Sequence, residues 1–393
     1  MSQRPISLSP DLIRLRAEGY DLDVVAAHLV VRDVPYLDAQ RQVVRGTLVT
    51  PLTLLADVAV TPGTHVAYLA GPGPCDTDGR PLDRIVHSAG AFDFVPGVPA
   101  QWMLSHKPPI GYPDYYELVN TYTSVLGKHA TAIDPTVSAQ TFPVVEPDTA
   151  DDGPFVYLDT ASARAGITAV TARLAGQRLA VVGLGGTGAY VLDLLAKSPV
   201  AEIHLFDGDV LSQHNAFRYP GAVPVEALRA RQSKVNYLAC VYAAMRRGVV
   251  PHTQFVDAVN VGDLDGFDFV FLAVDDNLTR AMVAKHLEAN DRAFVDVGMG
   301  LYETDGRIGG QLRVTTSVSG HRDHLWDQRR RLPTGGGADD LYRRNVQIVD
   351  LNALNAALAV TRWKRHAGVF ADLEGEHHSV YVVDGNDLVN EDA

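Results

Sequence analysis

The sequence predicts an α/β protein in two parts: a doubly wound, mostly parallel sheet over residues 155–393, preceded by a smaller α+β domain over residues 1–142. Three observations predict it. From residue 155 onward, short apolar strands alternate with helices, the pattern of βαβ units. A glycine turn, Gly183 to Gly188, stands between a strand and a helix. Upstream, PVVEPDTADDGP at 143–154 is acidic, contains proline and has no periodicity, so it reads as a linker. A chain of 393 residues has room for two or three domains, and 46% hydrophobic against 21% charged residues excludes wholesale disorder.

The elements follow in order. In the first part, Ser9-Pro10 opens a short helix to residue 18, with proline at the first helical position. His28–Val31, Gln42–Val49 and Thr64–Leu69 read as strands. Turn clusters occupy 71–81 (GPGPCDTDGRP) and 107–116 (KPPIGYPDYY), and a helix runs from Asp114 to Ala130. In the second part, Arg178–Val182 (RLAVV) is a buried strand, and Ala189–Lys197 continues as a helix behind the glycine turn. Glu202–Phe206 is the next strand, and Lys234–Arg246 is a helix. Phe267–Val274 (FDFVFLAV) is apolar almost without break, as in a strand covered on both faces. Ala293–Val297 is another strand. Residues 319–340 form a long polar loop, 345–365 an Ala- and Leu-rich helix, and HHSVYVVDGNDL a final strand.

Composition narrows the function classes. No apolar run reaches the length of a membrane span, and MSQRPISLSPDLIRLRAEG lacks the apolar core of a secretory signal. Two cysteines, Cys75 and Cys240, cannot form a disulfide framework or a four-cysteine zinc site, and they fit a reducing cytoplasm. Thirty-four basic against 47 acidic residues leave a formal charge of −13, which argues against nucleic acid or an anionic membrane as partner.

The turn VVGLGGTG at 181–188 has the Rossmann-like context that a nucleotide site requires. Gly183 permits the tight turn, Gly185 and Gly186 let the backbone approach a phosphate, and Gly188 lets helix and strand pack closely. Asp207, 24 residues after Gly183, ends the second strand where ribose hydroxyls would lie. This much leaves NAD, FAD and ATP open, and also a turn that only packs. Three further stretches discriminate: FDGDVLSQHNAFRYPGA at 206–222, RQSKVNYLA at 231–239 and FLAVDDNLTR at 271–280. Hydride transfer has no use for Arg218, Lys234 and an aspartate after the next strand. Adenylation does, because a carboxylate approaches the α-phosphate of ATP while pyrophosphate leaves, and fixed cations with a magnesium ion must neutralise the oxygens.

In those residues the chain resembles the ThiF/MoeB/HesA family, the adenylation fold of the ubiquitin-activating enzymes, in a bacterial two-domain form with an uncharacterised N-terminal domain. The family's ordered motifs are all present: Gly183-Leu184-Gly185-Gly186-Thr187-Gly188, Asp207-Gly208-Asp209, Asn215-Ala216-Phe217-Arg218, Lys234 and Asp275. The resemblance implies a nucleotide site built from the four glycines, Asp207 and Asp209, with Asp207 at the ribose. It implies that Asn215, Arg218 and Lys234 contact the phosphates and that Asp275 binds magnesium. Asp275 rather than Asp276 takes that place because the spacing to Arg280 then needs no gap. It also implies a homodimer in which an arginine on the helix before the first strand serves the partner's site, and Arg164 in LDTASARAGI matches that position.

Two family features are missing. The crossover loop 319–340 has no cysteine, and no Cys-x-x-Cys pair exists, so no zinc is expected. Cys240 reads as a core residue in mid-helix. Cys75, on a turn, is the one thiol that reads as exposed and available for a thioester. The economical reading is adenylation without a stable enzyme thioester, or transfer to another protein's cysteine. Arg329 to Arg331 read as a solvated loop, with closure over an adenylate as the alternative. His321 and His324 have metal-ligand spacing but no third ligand nearby in sequence. In GPGPCDTDG and KPPIGYPDYYELVNTY the first part resembles a segment found ahead of some bacterial ThiF-type domains. That resemblance implies a partner-binding role or a ubiquitin-conjugating-like fold.

The reading is thus an ATP- and magnesium-dependent adenylyltransferase of the ubiquitin-like modifier activating type. It would act on the C-terminal carboxylate of a ubiquitin-like or sulfur-carrier protein, with a conjugating-type enzyme as further partner. The alternatives are adenylation of a small carboxylate or a modified tRNA nucleoside, an NAD(P)-dependent oxidoreductase, and a non-enzymatic nucleotide-binding scaffold.

Overall fold

The computed structural model describes residues 4–147, 153–326, 331–333 and 346–391. The chain divides into two compact units: Met1–Asp152 with Tyr157–Ile167, and Gly153–Val156 with Thr168–Ala393. The sequence predicts one passage near residue 155, whereas the chain passes between the units three times. Local pairing explains this. Arg247 and Val156 donate backbone hydrogen bonds to Pro154 and Met245, tying 153–156 into the second unit. Leu158 then donates to Val145 and returns the chain to the first. Of the expected linker, 148–152 lie outside the described residues.

The first unit opens with α1 (Arg4–Leu8) and α2 (Pro10–Ala17), followed by strands β1 (Leu22–Val25), β2 (His28–Leu37) and β3 (Val43–Pro51). A small hairpin, β4 (Leu54–Leu55) and β5 (Val58–Ala59), precedes β6 (Val66–Ala70), β7 (Val86–Val95) and β8 (Val98–Ser105). The long helix α3 (Tyr115–Ile133) is capped by Asp114, whose carboxylate accepts from Glu117 N–H at 2.9 Å. Six strands form one antiparallel sheet in the order β1-β2-β3-β6-β8-β7. Leu29, Val31, Leu48 and Leu69 pack on Leu118, Val119, Tyr122 and Leu126 of α3, while Val30 and Val49 face the other side. The short α4 (Thr160–Arg164) completes the unit, capped by Asp159.

The second unit contains α5 (Thr168–Thr171), β9 (Arg178–Val182), α6 (Gly186–Ala196), β10 (Glu202–Phe206), α7 (Gln213–Ala216), α8 (Val225–Ala230), α9 (Lys234–Ala243) and β11 (Val249–His252). Then come β12 (Phe269–Leu272), α10 (Asn277–Ala289), β13 (Phe294–Thr304), β14 (Arg307–Ser317), α11 (Val349–His366), β15 (His378–Val382) and β16 (Asp387–Glu391). Eight strands form a mixed sheet in the order β11-β10-β9-β12-β13-β14-β15-β16, parallel from β11 to β13 and antiparallel beyond. Alternation along β9 and β12 explains the continuous apolar runs. Leu179, Val181, Phe269 and Phe271 face α6, α9 and α11 through Leu192, Leu238 and Trp363, whereas Ala180, Val182, Val270 and Leu272 face Val283, Ala284 and Leu287 of α10. Both faces are covered, as a doubly wound sheet requires. Strand order reverses between β10 and β12 on either side of β9, and ligands of open α/β sheets bind at the carboxyl ends of the strands at such a switch.

Among the described residues no helix is long and apolar enough to cross a membrane.

Candidate nucleotide site

The glycine turn leaves β9 at this switch point. Gly183 has φ +89, and a Cβ there would stand 2.6 Å from the Ala273 carbonyl oxygen, so only glycine fits. A Cβ on Gly188 would stand 1.9 Å from the Gly183 carbonyl oxygen, which is why α6 can start so close to β9. A Cβ on Gly186 would strike the Asn352 amide at 2.1 Å, so this glycine admits α11. Gly185, by contrast, faces open space and precedes the first turn of α6, whose leading N–H groups lack intrahelical partners.

The turn is held from below. Asp207 Oδ2 accepts from Leu184 N–H at 2.7 Å, and its Oδ1 accepts from Asp209 N–H at 2.8 Å. The buried Tyr219 hydroxyl donates to the Leu184 carbonyl at 2.7 Å. Burial, with Asp207 nearby, raises the Tyr219 phenol far above its ordinary range, so it stays a donor. Lys234 is the first residue of α9. Its N–H donates to the Asp209 carbonyl, and its buried ammonium reaches Asp209 Oδ2 at 2.5 Å and Asp207 Oδ2 at 3.4 Å. The sequence-expected ribose ligand Asp207 is therefore also the clamp of the glycine turn.

Asn215 is buried in α7. Its Oδ1 accepts from Ser212 N–H at 2.8 Å, while its Nδ2 is buried without a protein partner. Arg218 N–H donates to the Asn215 carbonyl, and Arg218 Nε is likewise buried and unpartnered. Two orphaned donors in one Asn-x-x-Arg motif suit an anion. Burial, then the Arg218 and Lys234 charges, push the His214 imidazole below its usual range, so this segment already disfavours further positive charge.

A cavity of about 200 Å³ opens here, bounded by Gly183 and Gly185, by Asp207, Asp209 and Lys234, and by Asp275. Its apolar side is Val182, Phe206, Phe255 and Val256. A second cavity of about 50 Å³ adjoins it, sharing Gly185, Ala273, Val274, Asp275 and Gln347. Asp275 lines both. Asp276 lines only the larger, and its carboxylate is engaged in capping α10, accepting from Thr279 N–H at 2.7 Å; those bonds hold it below the usual carboxylate range. Among the described residues no group of three or more His, Cys, Asp or Glu is arranged to hold a metal ion.

The remaining expected residues lie elsewhere. Gly188 packs under the turn, and Arg218 is not among the residues lining the cavity. Arg164 belongs to the first unit, exposed at the end of α4 with its guanidinium 5.6 Å from the Phe142 ring centroid. The cysteine readings are reversed. Cys240 is exposed, because α9 turns Val235, Leu238 and Tyr242 to the core and residue 240 falls on the opposite face. Cys75 is buried at 3% exposure, its backbone bridged to Leu37 and Pro81. Burial, with Asp38 and Asp76, raises its thiol above the ordinary range, the opposite of an activated nucleophile. His324 is buried with Nε2 2.9 Å from the Thr316 carbonyl oxygen, and the exposed His321 stacks on His377 at 4.5 Å between centroids, so the pair does not converge as metal ligands. Arg331 is buried, and Arg329 and Arg330 lie outside the described residues.

Sequence reasoning missed Phe255, Thr279 and Gln347, and the α11 pair Asn352 and Asn355, both wholly buried. Asn352 Oδ1 accepts from the Thr187 hydroxyl at 2.9 Å, fixing α11 to the glycine turn. The signal was present: two asparagines three apart on one face of the Ala- and Leu-rich first half of the helix.

Comparison with known proteins yields five findings. Residues 161–321 match the model of the ThiF family, and residues 10–160 match a domain of unknown function, DUF6791. The tRNA threonylcarbamoyladenosine dehydratase of Haemophilus influenzae is 27% identical over 141 residues, covering 34% of this chain and 52% of that protein, so the chain spans about half the length of this curated relative. A crystal structure of E. coli MccB with succinimide superposes with a TM-score of 0.47 at 15% identity, covering 59% of this chain and 69% of that one. PaaA superposes with a TM-score of 0.41 at 16% identity, covering 57% and 75%.

Proposed function

The chain carries a ThiF family domain over residues 161–321, and on that premise we propose that it is an ATP-dependent, magnesium-assisted adenylyltransferase acting on the C-terminal carboxylate of a ubiquitin-like or sulfur-carrier protein. One observation carries the reading. A glycine turn and helix N-terminus open on a cavity whose rim holds a buried lysine, and the neighbouring Asn-x-x-Arg motif keeps two buried donors unpartnered. That donor set suits a polyphosphate, and hydride transfer would leave it without a task.

In this reading the nucleobase lies against Val182, Phe206, Phe255 and Val256. Lys234, Asn215 and Arg218 neutralise phosphate oxygens. A carboxylate oxygen of the substrate attacks the α-phosphorus, a new C(O)O–P bond forms, the bond to the β-phosphate oxygen breaks, and pyrophosphate leaves with both electrons of that bond. Magnesium, when bound, adds charge neutralisation on the departing phosphates. Asp275 is the group of this chain that would hold it. A single carboxylate fits, since magnesium is commonly bound through one or two carboxylates and the substrate's own phosphates. Arg164 is the residue assigned to complete the site across a homodimer, and the first unit is assigned to binding the protein substrate or a conjugating-type partner.

The test is ATP–pyrophosphate exchange with magnesium, with and without β-grasp proteins ending in glycine, using Asp275→Ala as the control. Exchange that requires the protein substrate and vanishes in the variant supports the reading. Exchange supported instead by tRNA would favour a carboxylate on a modified nucleoside. The name of the Haemophilus influenzae relative supports that second reading, and the charge of −13 stands against it. Nucleotide binding with no exchange on any carboxylate would refute adenylation.

A further inference from the structure

The first unit has a cavity of its own. A groove of about 650 Å³ lies between α3 and the segment 137–140 that returns beside it. Its floor is Pro35 on β2 and the buried pair Tyr20 and Thr123, whose hydroxyls stand 3.4 Å apart. The outer wall is fixed in place. Gln140 pairs through its backbone with Tyr20, its N–H donates to the Ser138 hydroxyl at 3.0 Å, and Arg45 on β3 donates to the Ser138 carbonyl at 3.1 Å. A wall fixed before a ligand arrives lowers the cost of binding.

The inner wall presents Asn120, Ser124 and Lys128, one turn apart along α3. Among the described residues these side chains and the Gln140 amide have no hydrogen-bond partner in the protein, and Lys128 has no ion pair. The Lys128 ammonium is the one charge in the lining. Of the acids close by in the chain, Asp134 is held by the Thr136 hydroxyl at 2.6 Å and Asp21 by Arg32 at 3.7 Å. Neither they nor Asp33 line the groove.

Gly127 lies in the interior of α3, where glycine is less stable than alanine. A Cβ there would meet only the Pro35 carbonyl oxygen, at an ordinary 3.8 Å, so nothing in the fold requires a glycine. A main chain lying in the groove does, because it passes close to the helix at this point. Asn120 and Gln140, on opposite walls, each offer a donor and an acceptor, as a peptide group does. Nucleic acid fits poorly: the groove has a single cation, and its one ring, Tyr20, is buried.

We propose that this groove binds an extended peptide segment of a partner protein, with the main chain over Gly127 between the Asn120 and Gln140 amides and one carboxylate at Lys128. The inference does not rest on adenylation, and its test uses no ATP, so either can fail without the other.

The experiment follows backbone amide chemical shifts of the full-length protein with three probes at millimolar concentration. Acetyl-Gly-Glu-Gly-Glu-Gly-Glu-amide carries its carboxylates on side chains. Acetyl-Gly-Ser-Gly-Ser-Gly-Ser with a free C-terminus carries one terminal carboxylate. Acetyl-Gly-Lys-Gly-Lys-Gly-Lys-amide carries none. The expected result is saturable shifts confined to α3 and 137–140 with at least one acid probe, and none there with the lysine probe. Which acid probe binds names the source of the carboxylate. Gly127→Leu fills the groove and raises Kd at least about tenfold. Lys128→Glu transfers binding to the lysine probe. Leucine is a better helix former than glycine, so the first variant is expected to fold, and the wild-type comparison stands in any case. No shift there with either acid probe, equal binding of the lysine probe, or a Kd untouched by either variant overturns the inference. Saturable shifts there with a single-stranded RNA oligonucleotide and with neither acid probe overturn it in favour of nucleic acid.

Discussion

The Lys234 ammonium stands 2.5 Å from the Asp209 carboxylate, the lysine side chain 9% exposed and the aspartate 54% exposed. Desolvated from behind and anchored from the front, the charge is fixed before any ligand arrives. Preorganised charge of this kind contributes most where negative charge develops. Lys234→Ala is therefore expected to lower pyrophosphate exchange by about 10²- to 10³-fold. Asp209→Asn, which loosens the lysine without removing it, should cost less. Steady-state exchange on both variants checks the order; equal losses would mean that Asp209 itself meets the substrate.

The glycine turn makes a stability prediction with a built-in contrast. Gly188→Ala must push the α6 backbone off the Gly183 carbonyl, and forced overpacking of this sort costs about 1–3 kcal/mol or more. Gly185→Ala meets nothing within 4 Å and should fold normally while weakening nucleotide binding. Thermal melts and nucleotide titration on the two variants separate the roles.

The His377 imidazole is pushed down to about 4 by burial first, and then by the His321 and His324 rings. The sign follows directly. Unfolded, the group binds a proton below about 6.5. Folded, it stays neutral until about pH 4. Between those values the unfolded state holds more protons, so stability falls as the pH drops through this window. His377→Gln should flatten that dependence. Denaturant midpoints at pH 7 and pH 5 for both proteins measure it, and identical slopes would exclude His377 as the source.

The two thiols should react in an order opposite to that expected from sequence. Cys240 is exposed, and Cys75 is buried with a raised pKa, so iodoacetamide on the native protein should modify Cys240 first. Cys75 should follow only on unfolding. Peptide mass mapping at intervals gives the order.

These outcomes show where sequence was legible. FDFVFLAV announces a strand because β12 is buried on both faces, and the glycine turn is readable because each glycine answers a backbone contact. Burial of a single residue was harder. A cysteine in mid-helix says nothing about its face until Val235, Leu238 and Tyr242 are counted as the core stripe. The β13–β14 hairpin escaped notice because Gly300, Gly309 and Gly310 interrupt its apolar pattern, although Asp305-Gly306, both at positive φ, is a strong hairpin signal. The cavity's far wall was hidden for a different reason. Phe255 sits in an irregular loop, and the asparagines of α11 reach the site from more than a hundred and fifty residues downstream of the turn they support.

The chain's repeated passage between its two units limits how such a protein can be rearranged. Gly153–Val156 belongs with one unit and Tyr157–Ile167 with the other. A single scission anywhere in that stretch leaves at least one unit short of a piece. The junction of the two matched families, between Thr160 and Ala161, would divide α4 itself. A recombination event at that junction would hand the Thr160 end of the helix to one gene and Arg164 to another. The segment thus works as a stitch in the chain, and heredity passes the two halves on most safely as one message.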